Sequence, residues 1–206
     1  LLEHKGDRTL LLITQGFRDA LRIAYQNRPK LFARRIALPE PLYERAAEVR
    51  ERISAQGEIL VPFDAESTRA ALEDAYRAGI RAVAIVLLHG YRYPDHERQA
   101  AKLAQETGFA QISVSHQVSP LMKLIGRGDT TVVDAYLSPI LRRYVDRVAS
   151  ELGDARLLFM QSNGGLVHAR HFQGKDSILS GPAGGIVGAA RTATRSGFGK
   201  IITFDM

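Results

Sequence analysis

The chain has 206 residues, 45% hydrophobic and 24% charged, a globular balance that excludes a disordered tail or a collagen-like repeat. Lys and Arg number 28 against 22 Asp and Glu, a net charge of +6, and cysteine is absent, which excludes disulfides, thiolate metal sites and a cysteine nucleophile. No apolar run reaches the roughly 18 residues of a membrane span, no signal peptide opens the chain, and the lack of cysteine suits a reducing, cytoplasmic setting.

The first expected element is a buried strand at Leu10–Thr14, broken by Gly16 and followed by a helix over Phe17–Gln26 with Phe17, Leu21 and Ala24 on one face. Pro29, Pro39 and Pro41 then predict an extended connection. Between Leu42 and Phe63 two readings compete. Leu42, Ala46, Val49 and Ile53 fall at helical spacing among good helix formers, whereas Gln56-Gly57 followed by Glu58–Val61 reads as the turn and return strand of a hairpin.

From Asp64 the pattern sharpens. Asp64 predicts an N-cap for a helix reaching about Ala78, where Gly79 stops it. Arg81–His89 is a near-continuous apolar run, as expected of a strand buried on both faces of a parallel sheet. A helix over Pro94–Glu106, stopped by Gly108, and a strand at Gln111–Ser115 continue the alternation and predict an α/β layered fold.

Asp129 or Thr130 predicts the start of the longest helix, to about Leu152, with a kink or break at Pro139. A strand at Arg156–Met160, a helix over Pro182–Ser196 and a final strand at Lys200–Asp205 complete the series. The missing Met at Leu1, and a stop at Met206 just after a strand-like run, suggest a piece of something larger.

The positive charge does not predict nucleic-acid binding. Its arginines are interleaved with acids, as at Arg45, Glu48, Arg50, Glu51 and Arg52, and no aromatic stacking platform accompanies them.

Three polar loops could carry chemistry, since ligands of open α/β sheets bind near the carboxyl ends of strands. Met160–Gly165 offers Gln161, Ser162 and Asn163 beside Gly164 and Gly165, and on its residues reads first as a tight turn and second as a ligand loop. Ser180-Gly181-Pro182-Ala183-Gly184-Gly185 reads as a capped helix start able to hold an anion, or as a closely packed helix. Asp205, at the end of the last strand, is placed as a Mg²⁺ carboxylate is. The histidines lack metal spacing: His168 and His171 share a probable helix with no third ligand, and only His89, at a strand end beside Gly90, stands as a binding candidate. No Gly-Xaa-Ser-Xaa-Gly occurs, against an α/β-hydrolase.

Several segments together resemble the hydantoinase/oxoprolinase family of the N-methylhydantoinase A type (hydantoin utilization protein A). They are Ile13–Asp19, Gln26–Pro29, Leu87–Arg92, Pro94–Arg98, Thr130–Tyr136, Met160–Leu166, Ser180–Gly188 and Thr203–Met206, in order over nearly the whole chain. The resemblance implies part of an actin, sugar-kinase and heat-shock-ATPase-like (ribonuclease H-like) α/β fold. It divides the chain into 1–63, the end of an N-terminal lobe with a β-hairpin over 43–63; 64–180, the α/β core of that lobe; and 181–206, a connecting helix and the first strand of a second lobe. It favours strands over helix at Tyr43–Ile53.

The resemblance also implies ATP and Mg²⁺ as cofactors, and ATP-dependent opening of a cyclic amide such as a hydantoin or 5-oxoproline through phosphorylation of the amide oxygen. The alternatives are the ATP-binding subunit of a ketone carboxylase, or a nucleotide switch without catalysis. Asp205 would be the catalytic, Mg²⁺-associated acid. Ser180, Gly181, Gly184 and Gly185 would contact the nucleotide. Thr14, Gly16, Arg18, His89, Gln161, Ser162, Asn163, Gly164 and Gly165 would contact the substrate. The chain departs at Gln15, where many relatives carry Lys. A hydantoinase B-type partner subunit or fused domain is implied, and the chain alone, lacking complete phosphate loops, is expected not to turn over ATP.

Overall fold

A computed structural model describes residues 4–27, 30, 32–36, 38–152 and 156–204. Internal contacts divide the chain into two compact units, Leu1–Ile140 and Leu141–Met206.

The first unit is built on four parallel strands: β1 (Thr9–Thr14), β2 (Arg45–Val49), β5 (Ala82–Val86) and β6 (Gln111–Val114), in the order β2-β1-β5-β6. Every residue of β1 and of β5 is buried, as the unbroken apolar runs predict for strands covered on both faces. Alternation sorts their side chains. Leu10, Leu12, Val83 and Ile85 pack with Leu72 and Ala75 of α2 (Ala65–Arg77) and with Ala100, Leu103 and Ala104 of α3 (Asp95–Thr107). Leu11, Ile13, Ala84 and Val86 face Leu21 of the short α1 (Ala20–Ile23) and Val132 and Ala135 of α5 (Leu124–Leu152). The result is helix, sheet and helix in three layers.

The predicted punctuation holds at α2 and α3. Asp64 Oδ1 accepts from Ser67 N–H at 3.1 Å, and Gly108 closes α3 in the left-handed region at φ +100°, where a side chain is strained. The competing readings between Leu42 and Phe63 resolve as strands. β2 joins the parallel sheet beside β1, and a small antiparallel pair, β3 (Arg52–Ile53) with β4 (Ile59–Val61), follows it. Helix propensity loses because Val49, fully buried, completes the core at the sheet's edge.

Other boundaries move. The helix expected over Phe17–Gln26 is only Ala20–Ile23, ending where Ala24 takes φ +48° and Gln26 φ +57°. α5 begins at Leu124, five residues before Asp129, and continues through Pro139 without a break. A short α4 (Ser115–Val118) follows β6 directly. Pro29 of the expected extended connection lies outside the described residues.

In the second unit β7 (Leu158–Met160) and β8 (Leu166–His168) form an antiparallel hairpin. Phe159 stacks on Phe172 with ring centroids 5.0 Å apart and meets Tyr144 edge-on. α6 (Gly174–Ser177) and α7 (Ser180–Arg195) complete it. The strand expected at Lys200–Asp205 is not formed over 200–204. Ile202 is fully exposed and Phe204 nearly so, because a strand needs a neighbour to take its backbone hydrogen bonds.

Candidate functional site

The strand order reverses at β1. The chain leaves β1 for β2 on one side, returns to β5 on the other, and moves outward to β6. The carboxyl ends of β1 and β5 are therefore a topological switch point, the place where open α/β sheets open a ligand crevice. Thr14 ends β1, with Gly16 and Arg18 just beyond it, and His89 follows β5.

Beneath this switch point lies a buried polar network that no single motif announces. Thr14, fully buried, donates its hydroxyl to Glu51 Oε1 at 2.5 Å and accepts from Leu88 N–H at 2.9 Å. Glu51 Oε2 meets His96 Nδ1 at 2.8 Å. A carboxylate only accepts, so this nitrogen carries the proton. Glu97, fully buried at the start of α3, accepts four bonds: Leu87 N–H at 2.9 Å and the Ser115 hydroxyl at 2.5 Å on Oε1, and His116 N–H at 3.0 Å and Nδ1 at 2.7 Å on Oε2.

Arg127, in the first turns of α5 and wholly buried, donates to the Leu87 carbonyl at 2.6 Å, the Leu88 carbonyl at 2.9 Å, Ser115 Oγ at 2.9 Å and the carbonyls of Leu121 and Met122. Burial pulls its guanidinium below the ordinary value, opposed by Glu97 and Tyr91. Among the described residues no buried side-chain nitrogen or oxygen lacks a hydrogen-bond partner.

The predicted residues therefore fall differently. The Thr14 hydroxyl points inward, with its donor and one acceptor position engaged. Gly16 N–H donates to Glu48 Oε1 at 2.8 Å, with φ +90°. Arg18 is exposed. His89 is half-buried, and its imidazole makes no hydrogen bond to any described residue, with the Tyr91 ring 6.4 Å away.

In the second unit Gln161–Gly165 is the β7–β8 turn. Gly164 N–H donates to the Gln161 carbonyl at 2.9 Å, and Gly165 N–H to Asn163 Oδ1 at 2.8 Å. Ser162 Oγ donates to the Asp176 carbonyl at 2.7 Å and accepts from Leu179 N–H at 3.0 Å. Ser180 is the first residue of α7 rather than its cap, since Leu179 holds that position, and its hydroxyl donates to the Ser177 carbonyl. A Cβ at Gly181 or Gly185 would meet nothing within 4 Å, and one at Gly184 would only touch Met160 at 3.7 Å. His168 ends β8 and His171 ends a 3₁₀ turn, so the two are not on one α-helix. Asp205 lies outside the described residues, and among those described no three His, Asp or Glu gather as metal ligands.

Sequence reasoning missed Glu51, Glu97, Ser115 and Arg127 and found no metal spacing at His96 or His116. The one signal available was His96-Glu97 opening a helix after a strand end.

A second concavity of about 710 Å³ lies over the α1/α5 face, lined by Leu21, Leu38, Leu42, Tyr43, Asp129 and Val132 among others. Burial, helped by Asp19 and Asp129, raises the Tyr43 phenol, and crowding by protein atoms raises the Asp129 carboxyl although solvent still reaches it.

The first unit is a three-layered lobe on a parallel sheet with polar side chains gathered under its switch point, and its α/β fold is of the actin-like type by likeness to a solved relative. The chain belongs to the hydantoinase/oxoprolinase family: a model of the hydantoinase/oxoprolinase N-terminal region matches residues 1–108, and the hydantoinase/oxoprolinase model matches residues 127–206. It is 40% identical to 5-oxoprolinase 1 of Arabidopsis thaliana over its whole length, spanning 18% of that protein. The ATP-dependent caprolactamase of Pseudomonas jessenii superposes on all of the chain with a TM-score of 0.82 and 30% identity, over 31% of its own length. A nucleotide-free acetone carboxylase superposes on 95% of the chain with a TM-score of 0.78, over 30% of its own length, and at 24% identity shares the fold alone. No described helix is long and apolar enough to cross a membrane.

Proposed function

We propose that this chain serves in an ATP-dependent enzyme that opens a cyclic amide of the 5-oxoproline or hydantoin type. The observation that carries the reading is similarity, over the whole of this chain, to part of a 5-oxoprolinase and part of an ATP-dependent caprolactamase, two proteins whose names share a ring amide. ATP, when bound, supplies the phosphoryl group that activates an amide oxygen, chemistry that depends on positioning and electrostatics rather than on a protein nucleophile.

In the second unit the proposed nucleotide contacts are Ser180, Gly181, Gly184 and Gly185. The open space above Gly181 and Gly185 suits a close-approaching group. Gln161, Ser162, Asn163, Gly164 and Gly165 are proposed as small-molecule contacts, with free capacity on Gln161 and Asn163 rather than on the engaged Ser162. In the first unit Gly16, Arg18 and His89 surround the crevice, and Thr14 supports it from below. Asp205 is the proposed Mg²⁺ carboxylate. A hydantoinase B-type partner and a cytoplasmic setting complete the proposal, as does the division 1–63, 64–180 and 181–206.

The test is the full-length protein supplied with ATP, Mg²⁺ and, in turn, 5-oxoproline, hydantoin and ε-caprolactam. ADP formation matched by ring-opened product is expected with one of them. ATP turnover that responds only to acetone or acetophenone with bicarbonate, or to none of these compounds, refutes the reading.

A further inference from the structure

The turn after β5 is gripped from every side. Four polar backbone groups on two consecutive residues are bound by side chains: Leu87 N–H by Glu97, Leu88 N–H by Thr14, and both carbonyls by Arg127 Nη2. The turn then closes on itself through Gly90 N–H to the Leu87 carbonyl at 3.1 Å and Tyr93 N–H to the His89 carbonyl at 2.9 Å. Glu97 lies so close that a Cβ on Gly90 would fall 2.3 Å from its Oε1. Arg127 also sits 5.5 Å from the centre of the Tyr91 ring. In the middle of this fixed backbone stands His89, whose ring meets no described hydrogen-bond partner.

Stability does not explain such a device. Taking two carboxylates and a guanidinium out of water costs several kcal/mol per ion, by about as much as their attraction returns, and apolar side chains would pack there as well or better. What the network supplies is a single backbone position. It supplies it at the β1/β5 switch point, where a ligand is expected.

We propose that Thr14, Glu97 and Arg127 are positioning residues that fix the Leu87–Tyr91 turn so that the His89 imidazole hydrogen-bonds the ring amide of the substrate. The inference rests on the cyclic-amide reading above and assigns that substrate to this crevice. An imidazole offers one donor and one acceptor, which matches the N–H and C=O of a neutral amide. All five N–H donors of Arg127 are engaged by protein acceptors, so this guanidinium offers none to a phosphate, and the amide rather than the nucleotide is assigned to His89.

Two measurements on the full-length protein test this. In steady state, His89→Ala raises KM for the cyclic amide about tenfold, the upper worth of one hydrogen bond, while KM for ATP stays within about twofold. Thr14→Val, isosteric but unable to accept from Leu88 N–H, shifts the amide KM in the same direction, and Thr14→Ser restores it. A purely structural role for Thr14 would lower kcat through lost active protein and leave both KM values in place. The second measurement needs no turnover: the His89 ring signals, assigned with His89→Gln, are followed by NMR as 5-oxoproline, hydantoin or caprolactam is added.

An unchanged amide KM in His89→Ala, a failure of Ser to rescue Val, or His89 signals that ignore all three amides overturns the inference. A wild-type protein that opens no ring, but whose His89 signals move with an amide, refutes the functional reading while the binding site stands.

Discussion

Replacing Arg127 by methionine keeps most of the volume and removes the guanidinium, so its cost can be worked from the partners left behind. Two of the five bonds go to carbonyls of Leu121 and Met122, residues more than half exposed, where water takes over. The Leu87 carbonyl keeps Gly90 N–H. What water cannot replace is the bond to the Leu88 carbonyl, the bond to Ser115 Oγ, and the positive charge one hydroxyl away from the buried Glu97 carboxylate. Leaving a buried charge without its counterpart costs about 3–5 kcal/mol, and the surviving partner at Leu87 places Arg127→Met near the lower figure, about 3 kcal/mol. With a urea dependence of roughly 2 kcal/mol per M, the unfolding midpoint falls by about 1.5 M. The transition is followed by far-UV circular dichroism together with amide exchange of β5, so that Leu1–Ile140 is read separately from Leu141–Met206. Because Arg127 reaches Glu97 through Ser115, combining the substitution with Glu97→Gln leaves the pair non-additive by at least about 1 kcal/mol. A loss below about 1 kcal/mol for Arg127→Met, or strict additivity with Glu97→Gln, refutes the network as described.

Two further substitutions follow from named charges. Asp64→Ala removes the cap of α2 and lowers the unfolding midpoint at neutral pH. The bond from Ser67 N–H holds the Asp64 carboxyl below its ordinary value, so this contribution is present above the unfolded carboxylate pKa and is lost as pH falls through the folded one; a wild-type-to-variant gap that persists undiminished in strong acid contradicts it. Asp129→Asn acts the other way, because burial raises that carboxyl. The charged form is disfavoured in the folded state, so the variant gains a few tenths of a kcal/mol, about the scale of an exposed charge, as pH rises through the folded value, and nothing at acid pH; a variant less stable than wild type at neutral pH, measured by urea titration, counts against the sign.

Where local signals and tertiary demands agreed, the sequence was readable. Asp64 and Gly108 bound their helices because caps are decided within a few residues, and the runs at Leu10–Thr14 and Ala82–Val86 declared strands buried on both faces. β2 was resolved by resemblance rather than by propensity, since Ala46, Ala47 and Glu48 favour helix while pairing with Leu11, Leu12 and Ile13 is a long-range matter. The start of α5 was missed because Arg127 behaves as an interior residue and Gly126 and Gly128 read as loop. The crevice was half legible: Thr14, Gly16 and His89 stand at strand ends that the pattern exposes. Glu51, Glu97, Ser115 and Arg127 come from four separate places in the chain, and apart from His96-Glu97 opening a helix after a strand end, their local sequence does not mark them as buried.

The concavity over α1 and α5 and the turn at the β1/β5 switch point can be ranked on physical grounds. The one over α1 and α5 is walled in part by side chains that remain substantially in water, Ile36, Leu38 and Tyr25 being 47%, 49% and 54% exposed, and among the described residues no buried ion fixes its backbone. Such a surface is adaptable and makes few directional demands on what it touches. The turn at the β1/β5 switch point has the opposite character: buried ions lie beneath it, its backbone is bound on four polar groups, and the His89 ring meets no hydrogen-bond partner among the described residues. Reaction of an amide requires the reacting atoms to be held within a few tenths of an ångström, so the rate gained by orientation is available only at a site of the second kind. The free energy spent in burying Glu51, Glu97 and Arg127 is therefore placed where it yields geometry, and that placement is the physical reason to look for chemistry at His89 rather than at Tyr43.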